Sequence, residues 1–181
     1  MHRNKCQTLL LLAPFAALLM ASCARAADSC QPVFDALTKV ATTPNHSYET
    51  STSPTNTRGE ERQGERILAN EHYYIRTHGK WMRLPVSSQD VLEQEKDKEA
   101  HGKSMCQFLR TESVNGEAAL LYSLHREYEQ AGDKVIEDGQ IWISKGTGLP
   151  MRVVEDWDNQ GIRVKEHRST RFEYGNISPP I

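Results

Sequence analysis

Cysteine and long apolar segments are scarce in this 181-residue chain. Its four cysteines include no C-x-x-C pair, the spacing that a redox-active or metal-binding cysteine pair uses. After an apolar run at 9–19, no stretch approaches the roughly 20 apolar residues that span a bilayer, and the mean hydropathy is −0.64. These absences argue against a helical membrane protein and against a cysteine-based metal or redox site.

Motifs of catalysis and cofactor binding are also absent. No histidines have the H-x-x-x-H or H-E-x-x-H spacing of a zinc site, and there is neither a G-x-S-x-G nucleophile elbow nor a phosphate-binding loop. Strand and helix signals do not alternate in the way that a parallel sheet requires. We therefore expect a protein that is not an enzyme, with no catalytic residues, no cofactor and no bound metal.

The N-terminus has the three parts of a secretion signal. Arg3 and Lys5 form a positive start, the apolar run follows, and Ala24-Arg25-Ala26 is a small-x-small cleavage site. This pattern predicts a signal peptide over 1–26 and leaves a single domain over 27–181.

The sequence also contains an alternative cleavage site, before Cys23. Met20-Ala21-Ser22-Cys23 resembles the lipobox of bacterial lipoproteins, in which the cysteine is acylated and becomes the first residue of the mature protein. Under that alternative the protein would be anchored to a membrane through Cys23.

The charge balance of the mature chain is acidic. Of 22 basic and 24 acidic residues, the signal contains three basic ones and no acidic one, which leaves 19 basic residues against 24 acidic ones and a net charge of −5. Binding to nucleic acid depends on a basic surface. We therefore expect no nucleic-acid partner.

Two cysteines, Cys30 and Cys106, remain after cleavage of the signal. An even cysteine count in an exported protein predicts a disulfide, and two cysteines allow only one pairing. The bond would close a loop of about 76 residues and stabilise the fold by roughly 4.5 kcal/mol in the chain-entropy model.

The body of the chain reads as strands separated by turn residues. Turns such as Asn115-Gly116 and 130–133 recur about every 8–12 residues, which predicts eight to ten strands in an antiparallel meander. An amphipathic pattern predicts a helix over 30–42. A second, highly charged helix is expected from 87 to about 100, either as a lid or as a surface excursion between strands.

Two stretches resemble a known family. The segment 142–152, which reads WISKGTGLPMR, is similar to a turn motif of the LolA/LppX/RseB-like superfamily of bacterial periplasmic lipoprotein carriers and envelope lipid-binding proteins. Residues 172–177, FEYGNI, resemble the closing strand of that group. The resemblance implies an α+β fold in which an incomplete antiparallel half-barrel is covered by an N-terminal helix and a second helix or lid.

The resemblance also implies a function. A periplasmic protein of this group would hold a lipid, a lipoprotein acyl chain or another apolar ligand in the half-barrel; the alternative is an envelope protein-interaction or regulatory module without a small ligand. We expect a monomer. The candidate cavity-lining residues are Tyr74, Trp81, Leu120, Tyr122, Leu124, Ile141, Ile143, Met151, Val153 and Phe172.

Overall fold

The computed structural model describes residues 30–53 and 61–181, so the predicted signal peptide and Cys23 lie outside the described residues. The described part forms two helices and nine strands. In chain order these are α1 (Gln31–Thr42), β1 (Asn45–Thr52), β2 (Arg62–Ala69), β3 (His72–Thr77), β4 (Lys80–Ser87), α2 (Ser88–His101), β5 (Lys103–Val114), β6 (Glu117–Gln130), β7 (Asp133–Ser144), β8 (Pro150–Asn159) and β9 (Val164–Tyr174).

The strands form one antiparallel sheet in the order β4-β3-β2-β1-β9-β8-β7-β6-β5. Most strands lie beside their neighbours in sequence, as a meander requires, but β1 pairs with β9 and thereby joins two smaller meanders. In the described part of the chain β4 and β5 lie at opposite edges and do not pair, so the curved sheet stays open. The predicted α+β half-barrel is thus confirmed.

Helix α1 packs on one face of the sheet, which we call the inner face; the opposite face is the outer face. Its apolar side contributes Val33 and Ala36, both fully buried, to a core completed by Ile141 and Ile143 of β7. The predicted disulfide is confirmed: Cys30, at the N-terminus of α1, is bonded to Cys106 of β5. The disulfide therefore ties the helix to an edge strand.

Helix α2 connects the two edges of the sheet. Because β4 and β5 are the two end strands of the nine-stranded sheet, this helix crosses the inner face, where it contacts α1 and β6. Its start is fixed by a capping box, in which the Ser87 Oγ accepts a hydrogen bond from the Asp90 N–H and the Asp90 carboxylate accepts one from the Ser87 N–H. The structure thus favours the covering position over a surface excursion.

The turn motif around Gly148 is structural. Gly148 has a φ of 70°, a conformation that favours glycine, and its N–H donates to the Ser144 carbonyl at 2.8 Å. The Lys39 ammonium at the end of α1 donates to the Thr147 carbonyl. The turn therefore joins β7 to β8 and also holds the C-terminal end of α1.

Neither helix of the described part is long and apolar enough to cross a membrane.

Candidate binding cavity

A cavity of about 410 Å³ lies between α1, α2 and the inner face of the sheet. Both helices and seven of the nine strands contribute to its lining. Pockets that bind small molecules span about 300–1,000 Å³. The cavity therefore has room for one small ligand.

Part of the cavity wall is apolar, and Glu155 interrupts it between Val153 and Trp157. The apolar side chains are Leu37 and Val40 of α1, Val153 and Trp157 of β8, and Phe172 of β9. Strand alternation explains the arrangement, because Val153 and Trp157 are separated by an even number of residues and point to the same face.

The lining also includes eight charged side chains, and their formal charge is balanced. The four acidic and four basic side chains are Glu49, Glu95, Glu137, Glu155, Arg66, Lys98, Arg126 and Arg168. Buried charges are tolerated when they are paired and hydrogen-bonded, so the pairing of these groups decides what the cavity can bind.

Arg126 is the centre of the charged wall. It is buried and lies directly opposite Glu137 in the β6–β7 register, to which its Nε donates at 2.8 Å. Its Nη1 donates to Glu95 of α2, also at 2.8 Å. Burial alone would lower the pKa of Arg126, but the carboxylates of Glu137 and Glu95 outweigh it and raise that pKa, so the guanidinium stays charged.

Three further groups complete this network. Lys98 of α2 donates to Glu95 at 2.9 Å and lies 4.7 Å from the centre of the Tyr128 ring. The Tyr128 hydroxyl donates to Glu137 at 2.5 Å, and both burial and that carboxylate raise its pKa. Burial would also raise the pKa of Glu95, but Arg126 and Lys98 outweigh it and hold that pKa below its usual value. Helix α2 is thus attached to the sheet by ionised groups.

Arg168 lies on the neighbouring part of the cavity wall. Its Nε and Nη2 donate to Glu166 at 2.8 and 2.6 Å, and its guanidinium lies 4.7 Å from the centre of the Trp157 ring. The aromatic contact places the cation against the apolar wall. Two of its donor nitrogens are therefore already engaged.

Of the ten predicted lining residues, Val153 and Phe172 line this cavity. Five others lie on the inner face but outside it: Leu120, Tyr122, Leu124, Ile141 and Ile143. Leu124, Ile141 and Ile143 are covered by α1, where they pack against Val33 and Ala36. They are core residues of this fold, and contact of any of the ten with a ligand stays a prediction.

Two of the predicted residues, Tyr74 and Trp81, lie on the outer face, contrary to the prediction. Tyr74 pairs with Ile67 in the β2–β3 register and packs with it, while Trp81 and Ile177 of the C-terminal tail pack against them. The next residue, Tyr73, lines the cavity instead. In a run of adjacent aromatic residues the sequence pattern did not show which one faces inward.

Met151 is the third predicted residue outside the inner face. A β-bulge interrupts the β7–β8 register between Trp142 and Ile143, so strict alternation does not hold there. Met151 consequently packs with Leu121 and Trp142. The expectation that Met151 lines the inner face together with Val153 was therefore wrong.

The prediction missed the charged wall. Its signal was present in the alternation: Arg126 follows Leu124 by two positions, and Glu155 lies between Val153 and Trp157 on the same face of β8. Charged residues at inward positions of a strand indicate a polar site. Within residues 30–53 and 61–181, no group of three or more His, Cys, Asp or Glu side chains is arranged to hold a metal ion.

Comparison with known proteins gives a likeness of fold. No protein-family model and no curated protein matches the chain. The crystal structure of LprF from Mycobacterium bovis is similar at 11% identity and a TM-score of 0.39, over 86% of this chain and 96% of LprF. The crystal structure of the Mycobacterium tuberculosis lipoprotein LppX is similar at 9% identity and a TM-score of 0.42, over 80% of this chain and 93% of LppX.

Proposed function

We propose that the protein is a periplasmic binding protein that holds one amphipathic ligand in the cavity between α1, α2 and the inner face of the sheet. The observation that carries this proposal is the mixed lining of the 410 Å³ cavity, to which both apolar and charged side chains contribute. A ligand with an apolar chain and a polar end matches both kinds of side chain.

The apolar part of the ligand would supply most of the binding energy. Burial of apolar surface is worth about 25 cal/mol per Å², and Leu37, Val153 and Phe172 provide the complementary surface. Several acyl chains together would have to displace the Arg126 network, which is expensive to break. The proposal is therefore a single short or medium chain.

The test is recovery of the ligand with the protein. The exported protein is purified from the periplasm under mild conditions, and bound molecules are identified by native mass spectrometry. We expect one molecule with an apolar chain per protein. A protein that carries no such molecule, and that binds none in calorimetric titrations with medium-chain amphiphiles, would refute the proposal.

A matched pair of variants locates the site. Thr170 lines the cavity and pairs with Val153, whereas Ser169 is the preceding residue and pairs with Val154 on the outer face. Thr170→Trp should fill part of the cavity and abolish binding, while Ser169→Trp should leave it intact. Equal binding by the two variants would place the ligand elsewhere.

A second candidate function rests on the edge strand β5. Within residues 30–53 and 61–181 it pairs with β6 alone, and Met105, Phe108 and Leu109 are exposed along it, Met105 to 67%. We propose as the alternative that an extended segment of an envelope protein adds to this edge as a further strand. Met105→Lys should then abolish capture of that protein from periplasmic extract and leave ligand binding unchanged; capture that persists would refute this candidate.

A further inference from the structure

Three of the four cations that face the cavity, Arg126, Lys98 and Arg168, donate hydrogen bonds to protein carboxylates, while the fourth, Arg66, is half exposed and lies 3.9 Å from Glu49. Arg126 donates from Nε and Nη2 to Glu137 and from Nη1 to Glu95, and Lys98 donates to Glu95. Arg168 donates twice to Glu166. The donors of Arg126, Lys98 and Arg168 are thus largely satisfied by protein carboxylates, and an acidic ligand beside these three residues would have to compete with those carboxylates.

Two of the four carboxylates that face the cavity, Glu49 and Glu155, make no hydrogen bond among the described residues, and Glu155 is the less exposed of the two, at 23% against 33%. Glu155 faces the cavity from β8, and among the described residues its side chain makes no hydrogen bond. The nearest cation is the Arg168 Nη1, 3.8 Å from the Glu155 Oε1. Its side chain is 23% exposed.

Glu155 lies beside a close approach of two strands. It is opposite Gly139, which contributes no side chain at that position of β7. A Cβ on Gly139 would lie 2.3 Å from the Val154 carbonyl oxygen and 3.1 Å from the Glu155 Cβ, so a larger residue is excluded. Glycine is therefore required opposite Glu155, and the carboxylate has no partner from that position of β7.

The pKa of Glu155 agrees with a carboxylate that lacks a hydrogen-bond donor. Burial and the nearby Glu137 carboxylate raise the pKa of Glu155 to about 7, against the lowering effect of Arg168, Arg126 and Lys98. A buried carboxylate without a donor is unfavourable. A ligand that brings a donor would remove that penalty.

We propose that Glu155 is the polar anchor of the cavity and accepts a hydrogen bond from a hydroxyl or ammonium group at the end of an apolar chain. This inference rests on the proposed function and specifies its ligand class: a chain that ends in a hydrogen-bond donor is bound in preference to one that ends in a carboxylate.

The experiment compares three probes of equal chain length, octanol, octylammonium and octanoate. The mature protein is titrated with each by calorimetry at pH 8. We expect octanol or octylammonium to bind at least about tenfold more tightly than octanoate. The reason is that each donor probe can make a hydrogen bond to the charged Glu155 carboxylate, whereas octanoate cannot. The two donor probes then distinguish a hydroxyl from an ammonium ligand.

Variants assign this preference to Glu155. Glu155→Met removes the acceptor at similar length and should reduce the preference for the donor probes to about twofold or less. Asp156→Met is the matched control, because Asp156 is the next residue on β8 and is exposed on the outer face, where it contacts His167. Thermal melting checks the fold, and Glu155→Gln serves as a second variant if the methionine variant does not fold.

The outcomes separate this inference from the proposed function. Equal or tighter binding of octanoate, or an unchanged preference in Glu155→Met, would overturn the role of Glu155 while leaving the cavity as a binding site. Binding of none of the probes, together with no co-purified ligand, would overturn both.

Discussion

Helix α2 should be held on the sheet by ion pairs rather than by apolar packing. Among its 14 residues only Ser88 is buried. Glu95 is the link, because its carboxylate accepts from Arg126 of β6 at 2.8 Å and from Lys98 at 2.9 Å. Glu95→Gln keeps the size of the side chain and removes the charge, so it tests this attachment directly.

The size of the effect follows from the contacts. A hydrogen bond to a charged group contributes about 1.5–3 kcal/mol. Arg126 keeps its pair with Glu137 in the variant, so no isolated buried charge is created and the global stability should change little. The free energy of opening α2 should therefore fall by about 1.5–3 kcal/mol, which corresponds to amide exchange about 10- to 150-fold faster.

Hydrogen–deuterium exchange with mass spectrometry measures this change segment by segment. We expect faster exchange in Ser88–His101 and unchanged exchange in Asp133–Ser144 of β7. Glu99→Gln, an exposed residue on the same helix, is the control. The reasoning would be refuted if both variants exchanged alike, or if β7 accelerated together with α2.

Other predictions concern stability. Serine at both Cys30 and Cys106 removes a disulfide that joins residues 76 positions apart. Under oxidising conditions this double variant should lose about 4.5 kcal/mol of unfolding free energy, and its melting temperature should fall by about 10–18 °C. An unchanged melting temperature would show that the disulfide does not stabilise the fold. Arg126→Met leaves Glu137 and Glu95 without their buried cation and should cost about 3–5 kcal/mol in urea unfolding, whereas a loss below about 1 kcal/mol would show that the network is hydrated. Glu155 has a folded-state pKa of about 7, raised above its unfolded value, so its contribution is fully present below about pH 4.5 and is lost as the pH rises through 7. Stability should fall by up to about 3 kcal/mol over that interval, and equal pH profiles of the wild type and Glu155→Gln, measured by urea unfolding, would contradict this assignment.

The helices and most strands could be predicted from local pattern. Turn residues such as Asn115-Gly116 and the alternation of apolar residues bound β6 within one position of its observed limits, Glu117–Gln130. The pairing of Arg126 with Glu137 could also have been predicted, because a turn at Ala131-Gly132 sets the register between β6 and β7. These features depend on interactions between residues that are close in sequence.

The chemistry of the cavity depends on longer-range contacts. Glu95 reaches Arg126 only because β4 and β5 end up at opposite edges of the sheet and α2 must cross between them. The position of Met151 was decided by a β-bulge that follows from the packing of two strands. Nothing in the local pattern encodes either event.

The sequence by itself determined the acidic balance, the disulfide pairing, the helices and the antiparallel meander, because composition and short-range periodicity carry that information. The half-barrel was implied by the resemblance of residues 142–152 and 172–177 to a known family. Only the tertiary structure decided that the space between the helices and the sheet is lined by paired charges and that Glu155 has no hydrogen-bond partner among the described residues. The physical reason is that β1 pairs with β9 and α2 spans the sheet, which brings side chains far apart in the chain into one enclosure.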